Sequence, residues 1–129
     1  MDKVKLVGYF RELKHGLRDG PSLKEAVEKG NYAAEKTELL AYLKEGVLYA
    51  AAPGVGVDVL DSTGKLSGVA HALTDGKWMW PADLAYYVEF YNVSLPEDFL
   101  GDLRKRKWKM PSADSIDLLE IERSIFGEG

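Results

Sequence analysis

The chain has 129 residues and a formal net charge of −4, with 46% hydrophobic and 29% charged residues. This balance is typical of a globular domain rather than a disordered chain, and the length matches one domain rather than two. The absence of cysteine excludes disulfide bonds, thiolate metal ligands and a cysteine nucleophile. The mild acidity gives no general reason to expect nucleic-acid binding.

The N-terminal segment contains an apolar stretch that Lys5, Gly8 and Arg11 interrupt. A secretory signal peptide needs a continuous apolar run followed by a cleavage site of small residues. No stretch of the sequence approaches the roughly 20 apolar residues of a membrane span. We therefore expect a cytoplasmic protein that has no contact with membranes.

The first third of the sequence predicts helices. Apolar residues at near-helical spacing predict a first helix over residues 3–17. The segment Ser22-Leu23-Lys24-Glu25 has the form of a capping box, in which a serine and a glutamate satisfy free backbone N–H groups. It predicts a short second helix that stops at Gly30.

A third helix is predicted over residues 32–45. Asn31 is suited to cap its start, and Gly46 suits the left-handed residue that follows a helix end. The buried stripe of this helix is expected to consist of Leu39, Tyr42 and Leu43.

The centre of the sequence changes to the two-residue period of strands. Strands are predicted over residues 47–52, 55–59 and 66–73, and a returning strand over residues 77–80. The dipeptide Asp75-Gly76 between the last two is a strong hairpin signal. The simplest arrangement is an antiparallel meander of three or four strands.

Helices are predicted again after the strands. Pro81 fits the first turn of a helix over residues 82–91, and residues 94–97 have the form of a second capping box. A last helix is expected after Ser115. The order of helices, strands and helices favours a single α+β domain over residues 1–129, with N-terminal and C-terminal helices packed on the sheet.

The densest aromatic cluster lies at the junction between the predicted hairpin and the following helix. Trp78 and Trp80 are two residues apart and point to the same face of a strand. Asp83 lies in the first helical turn, where its charge meets the positive end of the helix dipole, and Tyr86 and Tyr87 follow. Two interpretations stay open: a surface that binds a partner, and a core that buries the aromatic rings.

One basic run interrupts the acidic sequence and contains a tryptophan, Trp108. It suggests a nucleic-acid patch with a stacking ring, a surface for an acidic protein partner, or a helix end whose cations complement the dipole. We favour the helix end, because the run is isolated in an acidic chain. The basic residues are Arg104, Lys105, Arg106, Lys107 and Lys109.

No catalytic constellation is recognisable. His15 is interpreted as a solvated residue at a helix end, and His71 as a strand residue. A triad of Ser67, His71 and Asp75 has the right residue types, but the sequence lacks the nucleophile-elbow pattern. No His-x-x-x-His pair is present either, so we expect no metal and no cofactor.

Residues 73–99, LTDGKWMWPADLAYYVEFYNVSLPEDF, resemble a pattern of small, uncharacterised bacterial proteins. In that family a TDG-x-W-x-WP hairpin leads into a DLAYYV helix and a capped LP-x-x-F helix. The segments PSL-x-x-AV, residues 21–27, and LL-x-YL-x-x-G, residues 39–46, are similar to the same family. The resemblance reaches to about Trp108 and implies no catalytic residues. In size and architecture, the chain is also similar to bacterial toxin-immunity proteins.

These observations lead to two functional hypotheses. The first is a non-catalytic protein-binding module, of the immunity type, that docks a partner through the aromatic cluster. The second is a small-molecule-binding or hydrolytic domain with a pocket near His71, Asp75 and Asp83. The oligomeric state is left open.

Overall fold

A mixed four-stranded sheet and five helices make up the fold, and the computed structural model describes residues 3–126. The strands are β1 (Lys5–Leu6), β2 (Val47–Ala50), β3 (Gly56–Val57), β4 (Leu66–Gly68), β5 (Ala72–Thr74) and β6 (Trp78–Pro81). The helices are α1 (Leu23–Ala26), α2 (Lys36–Lys44), α3 (Leu84–Tyr91), α4 (Glu97–Lys105) and α5 (Leu118–Phe126). None of these helices is both long and apolar enough to span a bilayer.

The sheet has the strand order β1-β6-β5-β2. The predicted hairpin is confirmed, because β5 and β6 pair antiparallel through a turn in which Gly76 has a φ of +99°. β2 adds antiparallel to β5, while β3 and β4 form a separate two-stranded hairpin. The α+β class is therefore confirmed. The purely antiparallel meander is wrong, because β1 pairs parallel to β6.

The helix predicted over residues 3–17 is also wrong. This segment starts as β1 and continues as a series of turns. Lys5 N donates to Lys77 O and Val7 N to Met79 O, each at 2.9 Å, so the backbone is bound to β6 rather than to itself. A strand of only two residues is too short to show the alternating hydrophobic pattern by which strands are predicted.

Glycines in the N-terminal segment explain why it turns. Gly8 has a φ of +82°, and a Cβ there would lie 2.7 Å from Leu84 Cδ2. A Cβ on Gly16 would lie 1.8 Å from Phe10 O, so only glycine allows that approach. Four apolar residues suggested the helix, and three of them, Val7, Phe10 and Leu13, are nevertheless buried, while Leu17 is 43% exposed.

A carboxylate from the N-terminal segment caps α1. Ser22 Oγ accepts from Glu25 N at 3.3 Å, which confirms the serine half of the predicted capping box. The carboxylate half comes from Glu12, which accepts from Leu23 N at 2.7 Å and from Lys24 N at 2.9 Å. Burial raises the pKa of Glu12, but these backbone N–H groups and Ser22 outweigh it, and the pKa is lowered overall.

The ends of the first two helices differ from the prediction. α1 does not reach Gly30, because Glu28 turns at a φ of +61°. The third predicted helix begins as a 3-10 turn at Ala33–Glu35 and then continues as α2. Gly46 is not left-handed, but a Cβ there would lie 2.8 Å from Trp80 Cζ2. The predicted buried stripe is confirmed: Leu39, Tyr42 and Leu43.

Prolines account for two further differences. Pro81 closes β6, where it pairs in register with Ala72, and does not begin a helix. Pro96 occupies the N-cap position of α4 and cannot supply a side-chain acceptor, so the capping box predicted at Ser94 is wrong.

The aromatic hairpin forms the centre of the core. Trp80 is fully buried between Tyr42 and Phe99, with ring centroids 6.0 Å from each. Trp78 meets Phe99 edge to face at 5.1 Å. Trp80 Nε1 donates to Leu43 O at 3.0 Å, which satisfies its buried N–H group. These contacts join the sheet to α2 and α4.

Asp75 fixes the turn of this hairpin from inside the core. Its carboxylate accepts from Lys77 N at 2.9 Å, from Trp78 N at 2.7 Å and from Tyr42 OH at 2.6 Å. Burial and the contact with Asp75 raise the pKa of Tyr42, so the hydroxyl stays protonated as the donor.

We expect Tyr42→Phe to lower the free energy of unfolding by about 1 to 3 kcal/mol, because one buried carboxylate oxygen of Asp75 loses its donor. Urea denaturation measures the change. Tyr49→Phe on β2, where the tyrosine is half-buried, is the matched control and should change stability by less than about 0.5 kcal/mol. Equal losses in the two variants would contradict the assignment.

Candidate functional site

A buried carboxylate holds the β3–β4 hairpin against α3. Asp58 Oδ2 accepts from Tyr86 OH and from Tyr91 OH, each at 2.6 Å. Asp58 Oδ1 accepts from Leu60 N at 2.7 Å. Three donors from two elements therefore converge on one side chain, which fixes the hairpin in position.

We call Asp58 and its two tyrosine donors, Tyr86 and Tyr91, the clamp. The protonation states of these three groups keep it intact at neutral pH. Burial raises the pKa of Asp58, but the hydrogen bonds from Tyr86, Tyr91 and the backbone outweigh it, and the pKa is lowered overall. Burial first, and then Asp58, raises the pKa of Tyr86. The contact with Asp58 is the main cause that raises the pKa of Tyr91 to about 12. The clamp therefore pairs an ionised carboxylate with two neutral phenols.

The other side of the hairpin exposes apolar side chains. Val57 and Leu66 are register partners in β3 and β4, so their side chains leave the same face. Large exposed apolar patches on a domain mark interaction sites. We call this surface the hairpin face, and it consists of Val55, Val57, Val59 and Leu66, which are 53%, 50%, 43% and 59% exposed.

A cavity of about 530 Å³ lies between the hairpin and the N-terminal turns. The three valines of the hairpin face line this cavity, and their side chains are exposed to solvent. Leu13 and His15 contribute from the N-terminal turns, and the buried carboxylate of Asp83 lines its inner end. We call it the hairpin cavity; its wall is largely apolar and holds one deeply buried acid.

Asp83 is paired with a histidine from the N-terminal turns. His15 Nε2 lies 3.2 Å from Oδ1 and 3.1 Å from Oδ2, and the geometry of a hydrogen bond is met at Oδ1. The Asp83 side chain is 1% exposed and that of His15 is 25% exposed. Burial raises the pKa of Asp83 to about 6, although His15 opposes the shift. Burial and the nearby Asp83 carboxyl raise the pKa of Tyr9 to about 12.

Two buried oxygens near Gly56 form no hydrogen bond among residues 3–126: Ser67 Oγ, and Asp83 Oδ2, whose one close contact is the 3.1 Å ion-pair distance to His15 Nε2. Both oxygens lie close to Gly56, where a Cβ would be 2.9 Å from Ser67 Oγ and 3.6 Å from Asp83 Oδ2. Unpaired buried acceptors are rare in folded proteins and call for an explanation.

The predicted aromatic binding cluster lies mostly inside the protein. Trp78, Trp80, Asp83 and Tyr87 are buried, and Tyr86 is partly accessible. A partner that docks on the folded protein therefore reaches Tyr86 alone of these five, and its hydroxyl is already bound to Asp58.

The alternative pocket near His71, Asp75 and Asp83 is not brought together. Asp75 precedes β6 and Asp83 follows it, so the two carboxylates lie at opposite ends of that strand. Asp75 is bound to Tyr42 and to its own turn. His71 Nδ1 accepts from Ala52 N at 2.8 Å. The possible triad of Ser67, His71 and Asp75 is not assembled either, because His71 precedes β5 and Asp75 follows it, at the opposite end of that strand.

The interpretation of His15 as a solvated helix-end residue is wrong. It lies in a turn and binds Asp83, which is 68 positions away in the sequence. No local spacing connects the two residues, so a single sequence contains no signal for the pair. The nearest indication is the glycine content around it, since Gly16 forces the turn that carries His15.

The basic run lies at the end of α4, which supports the helix-end interpretation. Arg104 forms a bidentate pair with Glu35, with Nη2 and Nε at 2.9 Å and 3.0 Å from Oε1, and this contact raises the pKa of Arg104. Lys107 and Trp108 turn at φ values of 53° and 60°. Trp108 is partly buried against the core. The run also contains Lys105, Arg106 and Lys109.

No family model, no curated protein and no solved structure matches this chain. Within residues 3–126, no group of three His, Asp or Glu side chains is arranged to hold a metal ion.

We expect Asp58→Asn to lower the free energy of unfolding by about 1 to 3 kcal/mol, because the amide replaces a charged acceptor that two phenols share. Amide hydrogen exchange in β3 and β4 should accelerate with it. Asp61→Asn is the control, since Asp61 lies in the hairpin turn and its side chain accepts only from Thr63 among the described residues. Unchanged exchange in Asp58→Asn would contradict the clamp.

We expect the stability to depend on pH through Asp83. Its pKa is about 6 in the folded protein, against about 3.9 for an unfolded chain, so the folded state binds the proton more tightly. The contribution of Asp83 to the free energy of unfolding therefore falls as the pH rises from about 4 to about 6. Over that range wild type should lose roughly 2 to 3 kcal/mol of stability relative to Asp83→Asn, which has no carboxyl proton to release. A carboxyl ¹³C titration midpoint below pH 4 would contradict this.

Proposed function

We propose that this chain is a non-catalytic, cytoplasmic protein-binding module that docks its partner on the hairpin face. The observation that carries the proposal is the exposure of Val55, Val57, Val59 and Leu66 on one short hairpin. Burying such side chains against a partner contributes roughly 25 cal/mol per Å² of apolar surface. A small domain gains nothing from this exposure when it is alone.

The clamp beneath the hairpin supports the same proposal. A loop that is ordered before binding does not lose conformational entropy when the partner arrives. Asp58 holds the hairpin from the buried side through Tyr86 and Tyr91, which leaves the valines fixed and outward. This division of roles fits a preformed docking surface.

An immunity-type role is part of this proposal. Immunity proteins act by covering a toxin, which requires surface complementarity and no reaction chemistry. The class-level similarity in size and in the α+β architecture supports it. The partner would then be a single toxin with an apolar docking patch.

Small-molecule binding is a second candidate, and the hairpin cavity favours it. Its volume of about 530 Å³ lies in the usual range for ligand pockets, roughly 300 to 1,000 Å³. The sequence predicted a pocket near His71, Asp75 and Asp83. Of these three residues only Asp83 lines the hairpin cavity, and Asp75 lies at the other end of β6.

The hairpin face is tested by capture from a lysate of the organism that makes the protein. We expect the double variant Val57→Ser, Leu66→Ser to weaken capture of its main partner at least about tenfold, because two central apolar contacts are lost. Leu119→Ser on α5 is the matched control, since Leu119 is 65% exposed elsewhere. Circular dichroism checks that both variants are folded. Equal capture by the double variant and wild type would contradict the proposed surface.

A further inference from the structure

The hairpin cavity combines an apolar wall with two basic side chains. The wall consists of the three valines of the hairpin face, Leu13 and small residues of the loop that joins β2 to β3. Lys14 and His15 line the same cavity from the N-terminal turns, and Lys14 is exposed to solvent. Ligand pockets typically place a few polar groups beside a mostly apolar lining. A wall of this kind beside basic groups suits a ligand that has an aliphatic part and a negative charge.

Both basic side chains keep a donor that no described group uses. Lys14 takes part in none of the ion pairs formed among residues 3–126. His15 binds Asp83 through Nε2, and its Nδ1 forms no hydrogen bond among these residues. Nδ1 is also accessible, since the buried side-chain atoms without a hydrogen bond in this part of the chain are those of Ser67 and Asp83. An ammonium group and a ring nitrogen are therefore available to a ligand.

We propose that the hairpin cavity binds an aliphatic carboxylate of medium chain length, with the carboxylate against Lys14 and His15 Nδ1 and the chain along the valines. The inference rests on the second candidate function, small-molecule binding, and does not depend on the docking of a protein. Leu13, Val55 and Val57 remove the aliphatic chain from water. One lysine and one histidine match a head group that carries a single negative charge and two acceptor oxygens.

The buried carboxyl of Asp83 opposes an anion, and His15 compensates for it. Of the described residues that line the cavity, Asp83 alone is acidic, and its side chain is 1% exposed. A protonated imidazole is a donor at both nitrogens, so His15 binds Asp83 through Nε2 and the ligand through Nδ1 at the same time. The positive charge of the ring then lies between two carboxylates, and Lys14 balances the second negative charge.

The test uses the full chain and three probes of equal chain length: octanoate, 1-octanol and n-octylammonium. Binding is followed by NMR at probe concentrations below those at which micelles form. We expect octanoate to bind at least about fivefold more tightly than either other probe, because only its head group is attracted by Lys14. The shift changes should be centred on His15, Val55 and Val57.

Variants assign the preference to the cavity. Lys14→Gln should reduce the affinity for octanoate to about that for 1-octanol, while the matched control Lys24→Gln, at an exposed position on α1, should leave the preference intact. Val57→Ser should weaken the binding of octanoate and 1-octanol alike, because it removes part of the apolar wall. Leu66→Ser should weaken neither, since Leu66 belongs to the hairpin face but does not line the cavity.

The outcomes separate this inference from the proposed function. Binding of 1-octanol or n-octylammonium as tight as that of octanoate would overturn the carboxylate assignment, while the second candidate function would stand. Binding of none of the three probes would overturn both, and the capture experiment with the hairpin-face variants would still decide the docking of a protein. A preference for octanoate that survives Lys14→Gln would place the head group elsewhere and overturn the assignment.

Discussion

The position of the β3–β4 hairpin depends on the carboxylate of Asp58. An isolated two-stranded hairpin of this length is not stable in water, so tertiary contacts must hold it. Tyr86 and Tyr91 provide those contacts, and the hydrogen bonds pull a charged group into the protein without leaving it unsatisfied. The clamp also explains why α3 is so aromatic: its tyrosines serve the hairpin as well as the core. Without it, neither the hairpin face nor the cavity would have a fixed shape.

The two buried acids beside the hairpin show opposite physical states. Asp58 has three strong donors, so its pKa falls below the usual value although it is buried. Among the side chains of residues 3–126, only that of His15 is hydrogen-bonded to Asp83, and burial raises the pKa of Asp83 to about 6. A satisfied carboxylate is what a structural role requires. An incompletely satisfied one is a cost to stability, and such costs are concentrated at sites that bind or react. Of these two acids, Asp83 is therefore the better candidate for a functional site.

Local patterns in the sequence predicted the local parts of the fold. The buried stripe of α2 and the hairpin at Asp75-Gly76 were predictable, because helical periodicity and turn chemistry act over a few residues. The capping carboxylate of Glu12 was not, since it comes from a distant turn in place of Glu25. The sequence offered the tryptophans as one possible docking surface, but Trp78 and Trp80 are buried, and the exposed apolar residues of this region are Val55, Val57 and Val59. Which aromatic rings are buried is decided by how the helices cover them.

The candidate site depends most on a feature that periodicity does not encode. β1 runs parallel to β6, so the chain that follows β1 continues over the end of β6 from which Asp83 emerges. The turns at Gly8 and Gly16 then bring His15 onto that carboxylate. Had β1 joined the sheet antiparallel, or had this segment formed the predicted helix, its turns would lie at the other end of the strand, and Asp83 would be buried without a partner. A two-residue parallel pairing therefore creates both the histidine pair and one wall of the hairpin cavity, and the N-terminal glycines are explained by the site that they assemble.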